Sequence, residues 1–164
     1  MELPDLKTLV DADHGMISRE IFTSPAIYKQ ELKTLFSRAW LFVGHESLVP
    51  NPGDFYLSRM GEESVILCRD RLGHIHVFLN SCTHRGMKVC RYDKGNAKVF
   101  TCPYHAWSFA LDGTLQGVPH FEDLYNGILN RENWSLLEVD KMVVYKGTIW
   151  ASWDKDAPDL ETYL

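Results

Sequence analysis

Hydrophobic positions along this chain change their period once, near residue 50. Ile27, Tyr28, Leu32, Leu35, Phe36, Ala39 and Trp40 recur at three- and four-residue intervals, the spacing of one helix face. Ser24-Pro25 precedes them, offering an N-cap oxygen and a proline at the first helical position, where its missing N–H costs nothing. The pattern predicts an amphipathic helix over 25–39. From Gly53 the period shortens. Residues 64–70 are rich in β-branched and apolar side chains, and Arg71-Leu72-Gly73 reads as a turn. Residues 74–80 then alternate, with Ile75, Val77 and Leu79 on one side and His74, His76 and Phe78 on the other. A short strand over 99–102, a hairpin turn at Asp112-Gly113 and a last strand pair over 142–145 and 148–153 around Gly147 complete the pattern. Many short strands between turn signals predict a mainly β, antiparallel domain over 40–156, behind a helical lead-in over 1–39. Ala157-Pro158-Asp159-Leu160-Glu161 reads as a fresh helix start, so 157–164 is expected to open a further domain of a longer natural chain.

Composition sharpens this. With 164 residues, 45% hydrophobic and 24% charged, the chain is long enough for one domain with a real core. Residues Met1 to Lys7 lack the basic and apolar regions of a secretory signal, and no apolar run approaches the ~18 residues of a membrane span. The expected compartment is the cytoplasm. There, the four cysteines, Cys68, Cys82, Cys90 and Cys102, are more readily metal ligands or buried thiols than disulfides. The net charge of −5 argues against nucleic acid as a partner. The charge is unevenly spread. Arg85, Lys88, Arg91, Lys94 and Lys98 face a lone Asp93 between His84 and Cys102, a local +4 that leaves −9 on the rest.

The chemistry lies at the two ends of that basic stretch. Cys82-Thr83-His84 and Cys102-Pro103-Tyr104-His105 each follow a predicted strand, with seventeen residues between His84 and Cys102. A zinc finger puts two cysteines on one loop and two histidines on a helix. Here each loop supplies one thiolate and one imidazole, which suits a two-iron rhomb with both cysteines on one iron and both histidines on the other. Neutral imidazoles leave such a cluster less negative than four thiolates would, so it accepts an electron more readily. The competing reading is a structural zinc site built from the same four side chains.

Cys82-Thr83-His84-Arg85-Gly86 and Cys102-Pro103-Tyr104-His105-Ala106-Trp107 resemble the Rieske motif of bacterial aromatic-ring-hydroxylating dioxygenase α subunits. The resemblance extends to Ile21-Phe22-Thr23, to the run from Arg38 to Ser47, to Pro52-Gly53-Asp54, to the run from Arg91 to Asn96 and to Tyr145-Lys146-Gly147. It implies a Rieske-type β domain holding a [2Fe–2S] cluster through Cys82, His84, Cys102 and His105. It also implies a ferredoxin or reductase as electron donor, and a mononuclear Fe(II) in a catalytic domain beyond Leu164 that dihydroxylates an aromatic substrate with O₂. Oligomers with β subunits belong to the same implication. No second iron site is encoded in these residues. His74 and His76 lack a matching carboxylate and read as exposed, and His14, His45 and His120 read as packing or capping residues. A free-standing electron carrier is the alternative within the same chemistry.

Four further features follow from the resemblance or stand beside it. The family usually has glycine where Ala106 stands, so a positive φ there would strain this chain. High-potential relatives carry an extra cysteine in each loop and a serine donor, at positions here occupied by Met87, Tyr104 and Trp107. Trp107 is expected to pack beneath His105 or simply to fill the core. Cys90 and Cys68 read as buried thiols rather than ligands.

Overall fold

A computed structural model describes residues 5–164, so the first four residues of the lead-in lie outside it. Near the start, β1 (Val10–Asp11) and β2 (Met16–Ile17) form a small antiparallel ribbon, followed by α1 (Glu20–Thr23) and α2 (Pro25–Thr34). Ser24 caps α2 by accepting from the Ile27 N–H, and Pro25 takes the first turn. The helix stops five residues short of the predicted end. Thr34 and Ser37 turn their hydroxyls back onto the carbonyls of Gln30 and Lys33, a competition with the helical ladder that loosens its last turn. Leu35 and Phe36 both donate to the Glu31 carbonyl, which closes the helix.

The remainder is antiparallel β. Strands β3 (Leu41–His45), β4 (Asp54–Met60), β5 (Glu63–Arg69), β6 (Ile75–Leu79) and β7 (Lys94–Asn96) come first. They are followed by β8 (Phe100–Thr101), β9 (Ser108–Phe109), β10 (Leu115–Gly117), β11 (Lys141–Tyr145) and β12 (Thr148–Ser152). One sheet runs β6-β5-β4-β7, a second β11-β12-β3 and a third β10-β9-β8.

The four-stranded sheet is a wall between two cores. Along β5, Val65 and Leu67 enter a cluster with Val43, Val49 and Ile149, while Ile66 and Cys68 enter one with Cys82, Cys102 and Trp107. Both faces are covered, so Val65-Ile66-Leu67-Cys68 is a continuous buried run rather than an alternating one. On β6, Val77 and Phe78 likewise point into opposite cores. Neither imidazole of the 74–80 stretch lacks a carboxylate, contrary to what the alternation suggested, for His74 Nδ1 lies 3.4 Å from Asp70 Oδ2. His76 is mostly covered, with Nε2 3.3 Å from Asp70 Oδ2 and Nδ1 2.9 Å from Glu138 Oε1. Asp70 also accepts from the backbone N–H groups of Leu72 and His74, and these bonds hold its carboxyl below the usual range despite the opposing pull of burial.

A long excursion leaves β10 and returns to the edge of β6. It contains α3 (Phe121–Tyr125) and a 3₁₀ turn (Arg131–Trp134). Leu79 N–H donates to the Leu137 carbonyl and Val139 N–H to the Val77 carbonyl, so the returning segment extends the sheet. Phe121, Tyr125, Leu129 and Trp134 pack onto the core that holds Cys82 and Cys102. At the far end, Ala157 and Leu160 pack on Trp40, whose indole N–H donates to the Pro158 carbonyl. Leu160 begins α4 (Leu160–Tyr163). No helix among the described residues is long and apolar enough to cross a membrane.

Candidate metal centre

Two loops of the same design carry the cysteine and histidine residues. In the first, Cys82 N–H donates to the Met87 carbonyl and Gly86 N–H donates to the Cys82 carbonyl. In the second, Cys102 N–H donates to the Trp107 carbonyl and Ala106 N–H to the Cys102 carbonyl. Each loop therefore closes over five residues and puts a left-handed residue at its fourth step, Gly86 at φ 71° and Ala106 at φ 56°. The imidazole stands two residues after Cys82 in the first loop and three after Cys102 in the second.

Ala106 pays for this design in strain, because a Cβ in the left-handed region crowds the backbone carbonyl. Ala106→Gly is expected to raise the unfolding free energy by about 1 kcal/mol. A thermal melt of the two proteins in parallel checks it. An unchanged or lower melting point for the glycine variant would show the loop unstrained.

The structure brings the four predicted side chains together between these loops. Cys82 and Cys102 are each only 2% exposed and lie in one core cluster. The imidazoles of His84 and His105 meet edge to face with ring centres 4.8 Å apart. Asn80, buried at the base of the first loop, holds Cys90 by accepting from its N–H and donating to its carbonyl. Thr83 donates its hydroxyl to the Trp134 carbonyl at 2.7 Å, fastening the first loop to the excursion. Trp107 does not lie under His105. Its ring stacks on His84 at 4.6 Å and 8° between planes, and it meets Trp134 and Tyr125 edge-on. The exposed ring of Tyr104 covers His105 instead, at 3.8 Å. Left-handed Ala106 reverses the chain between His105 and Trp107, which sends the indole under the opposite loop.

The surroundings favour the uncharged forms of the first loop's two donors. Burial first, and then the neighbouring Cys102, raise the Cys82 thiol above its ordinary range. Burial, followed by His105 and Arg85, lowers His84 and keeps it a neutral donor. Nδ1 of His105 is buried without any hydrogen-bond partner, a costly state for a polar atom unless a metal takes its lone pair. Zinc fits poorly. A structural zinc site needs four donors within about 2.0–2.3 Å of one point, and no three His, Cys, Asp or Glu side chains among the described residues are placed to hold a single ion. Two irons with two protein ligands each ask for less convergence at any one point.

The remaining cysteines share the core cluster of Cys82 and Cys102 and read as buried thiols. Burial pushes the Cys90 thiol up to about 12 and raises Cys68 as well, and Cys68 Sγ–H donates to the Leu111 carbonyl. His45 accepts from the Ser47 N–H in a capping role, and His14 and His120 pair locally with Asp11 and Asp123. The role of the 118–139 excursion in sealing the centre was missed in the sequence. Its one available signal was the three aromatics, Phe121, Tyr125 and Trp134, in a stretch with no strand pattern.

A family model described as the Rieske [2Fe–2S] domain matches residues 39–131. The chain is 48% identical to the biphenyl 2,3-dioxygenase subunit alpha of Rhodococcus jostii (strain RHA1), over 98% of this chain and 34% of that protein. It is 45% identical to the chlorobenzene dioxygenase subunit alpha of Cupriavidus sp. (strain PS12), over 98% of this chain and 35% of the relative. Among solved structures, naphthalene 1,2-dioxygenase from Rhodococcus sp. bound to indole superimposes with a TM-score of 0.86 at 39% identity, covering 90% of this chain and 33% of that one. The chain thus spans about a third of the length of the relatives it matches.

Proposed function

The chain belongs to the Rieske [2Fe–2S] domain family, and from that premise we propose that it is the electron-accepting portion of an aromatic-ring-hydroxylating dioxygenase α subunit. Cys82 and Cys102 would hold one iron and His84 and His105 the other. The bound cluster supplies a one-electron acceptor. The observation that carries this reading is the pair of matched loops that set Cys82 and Cys102 in one core cluster and the rings of His84 and His105 edge to face, with His105 Nδ1 left unpartnered. The protein's own part is to favour the neutral form of the His84 imidazole by burial, to exclude water on the His84 side with Trp107, Tyr125 and Trp134, and to present His105 near the surface beneath Tyr104. In the whole protein, a ferredoxin or reductase would donate electrons, and a mononuclear iron in a further domain would use them with O₂ on an aromatic ring. Assembly with β subunits and a cytoplasmic location complete the proposal.

The test is spectroscopic. Purified protein reconstituted with iron and sulfide is expected to be coloured, to contain the two elements in equal amount, and to develop an EPR signal on one-electron reduction. A colourless, zinc-loaded protein would overturn the reading. The midpoint potential is expected near the lower end of the span of about −150 to +300 mV for Rieske centres. All four cysteines are free, Met87 and Tyr104 are exposed, and the Trp107 ring lies against His84. Neither a loop disulfide nor a serine donor therefore stabilises the reduced state. Redox titration giving a midpoint well above zero would contradict this.

A further inference from the structure

We propose that the surface beside the two ligand loops, built from Arg59, Lys88 and Arg91 around a ridge at Tyr92, docks a small acidic electron-carrier protein. The proposal rests on the electron-accepting reading above and adds the place and the chemistry of the encounter.

The five cations between the ligand loops do not act as one group. Lys88 and Arg91 converge with Arg59 of β4 on a cleft that reaches Cys90, with Asp93 as its only acid. Arg59 lies outside the basic stretch of sequence and joins it only because β4 pairs with β7. Arg91 and Tyr92 also wall a second cleft, which runs to Phe100 and to Pro103 of the second ligand loop. The ridge therefore borders both loops. Lys98 is elsewhere, in a cleft with Arg71 and two acids, Asp70 and Asp112, where its charge is locally offset.

The three cleft cations are exposed and unengaged. Every ion pair among the described residues involves a histidine, and no Lys or Arg lies within 4 Å of a carboxylate. Beside them stand exposed apolar groups, Tyr92 at 74%, Tyr104 at 58% and Met87. A cationic patch with an aromatic centre next to a redox site is the complement of an acidic carrier. The charges steer the encounter, and the aromatics give it a dry contact. A nucleic acid has no comparable claim on a chain of net charge −5.

The test uses the cluster-loaded protein and, as probe, a reduced plant-type [2Fe–2S] ferredoxin. Its potential lies below that of Rieske centres, so transfer to one is downhill. Stopped-flow absorbance would follow reduction of the wild type, of the triple variant Arg59→Glu, Lys88→Glu, Arg91→Glu, and of Lys98→Glu. The triple variant is expected to slow about tenfold or more at about 20 mM salt and less than about twofold at about 0.5 M, where screening shortens the reach of the charges to a few Å. Lys98→Glu is expected to stay within about twofold of wild type. All four residues are exposed, so the folded state should persist, and an unchanged visible spectrum verifies it. Equal rates for wild type and triple variant at low salt overturn the docking surface. So does a slowing that ignores salt, or one that Lys98→Glu reproduces. If the ferredoxin leaves the wild type oxidised while dithionite reduces it, the docking surface falls alone. If dithionite also fails, the electron-accepting reading falls with it.

Discussion

Cys82→Ser and Cys102→Ser are each expected to yield a colourless protein without cluster iron or sulfide. The argument is chemical before it is structural. Ferric iron holds a thiolate, and a serine hydroxyl remains protonated at neutral pH, so the substitution removes a ligand bond rather than weakening it. Each cysteine is 2% exposed inside a core shared with Trp107 and Phe109, which leaves no room for a surrogate ligand from solvent. Cys90 lies in the same core, but its backbone N–H and carbonyl are both tied to Asn80, which fixes its position away from substitution for either ligand. His84→Cys keeps a metal donor and is expected to retain a cluster at a lower potential, since another thiolate makes the site more negative. Iron and sulfide analysis with EPR would read all three variants. A wild-type spectrum from either serine variant would remove that cysteine from the ligand set.

The two loops were legible in the sequence because their signal is local. Each loop carries its cysteine, its histidine and its left-handed residue within five positions, and the strands on either side announce themselves by β-branched residues. Strands β5, β6, β11 and β12 fall within a residue or so of their expected places for the same reason. What stayed hidden depends on contacts between distant segments. His76 finds Asp70 six residues away across a turn and Glu138 sixty-two residues away, so its carboxylates could not be read from its own strand. The continuous burial of β5 follows from the second sheet covering its other face. Arg59 meets Lys88 and Arg91 only through the pairing of β4 with β7. Of the two places open to Trp107, beneath His105 or in the core, it takes the core, and the turn at Ala106 stacks it on His84 of the other loop.

Trp107→Ala is expected to destabilise the fold by about 3–5 kcal/mol, the cost of emptying a large buried aromatic site. It should also loosen one ligand. Trp107 is 2% exposed. It lies parallel to His84 and is itself braced edge-on by Trp134 and Tyr125. The excursion carrying those two rings is anchored by Leu136 N–H on the Gly113 carbonyl and by Thr83 on the Trp134 carbonyl. His84 is thereby held from both sides of its own loop, through its ring and through its neighbour Thr83. Trp107→Phe preserves a flat ring and most of the apolar contact, so it is expected to recover a large part of the stability and to keep the ring of His84 in plane. Urea unfolding gives the first quantity. The second is read from the nitrogen couplings of the reduced centre by pulsed EPR, which report ligand orientation and are indifferent to global stability. If tryptophan serves only to fill space, both variants lose stability in proportion to the volume removed while the couplings stay as in wild type. If it positions His84, the alanine variant broadens or shifts one nitrogen coupling, the phenylalanine variant restores it, and the coupling of His105, covered by Tyr104 instead, is unmoved in both.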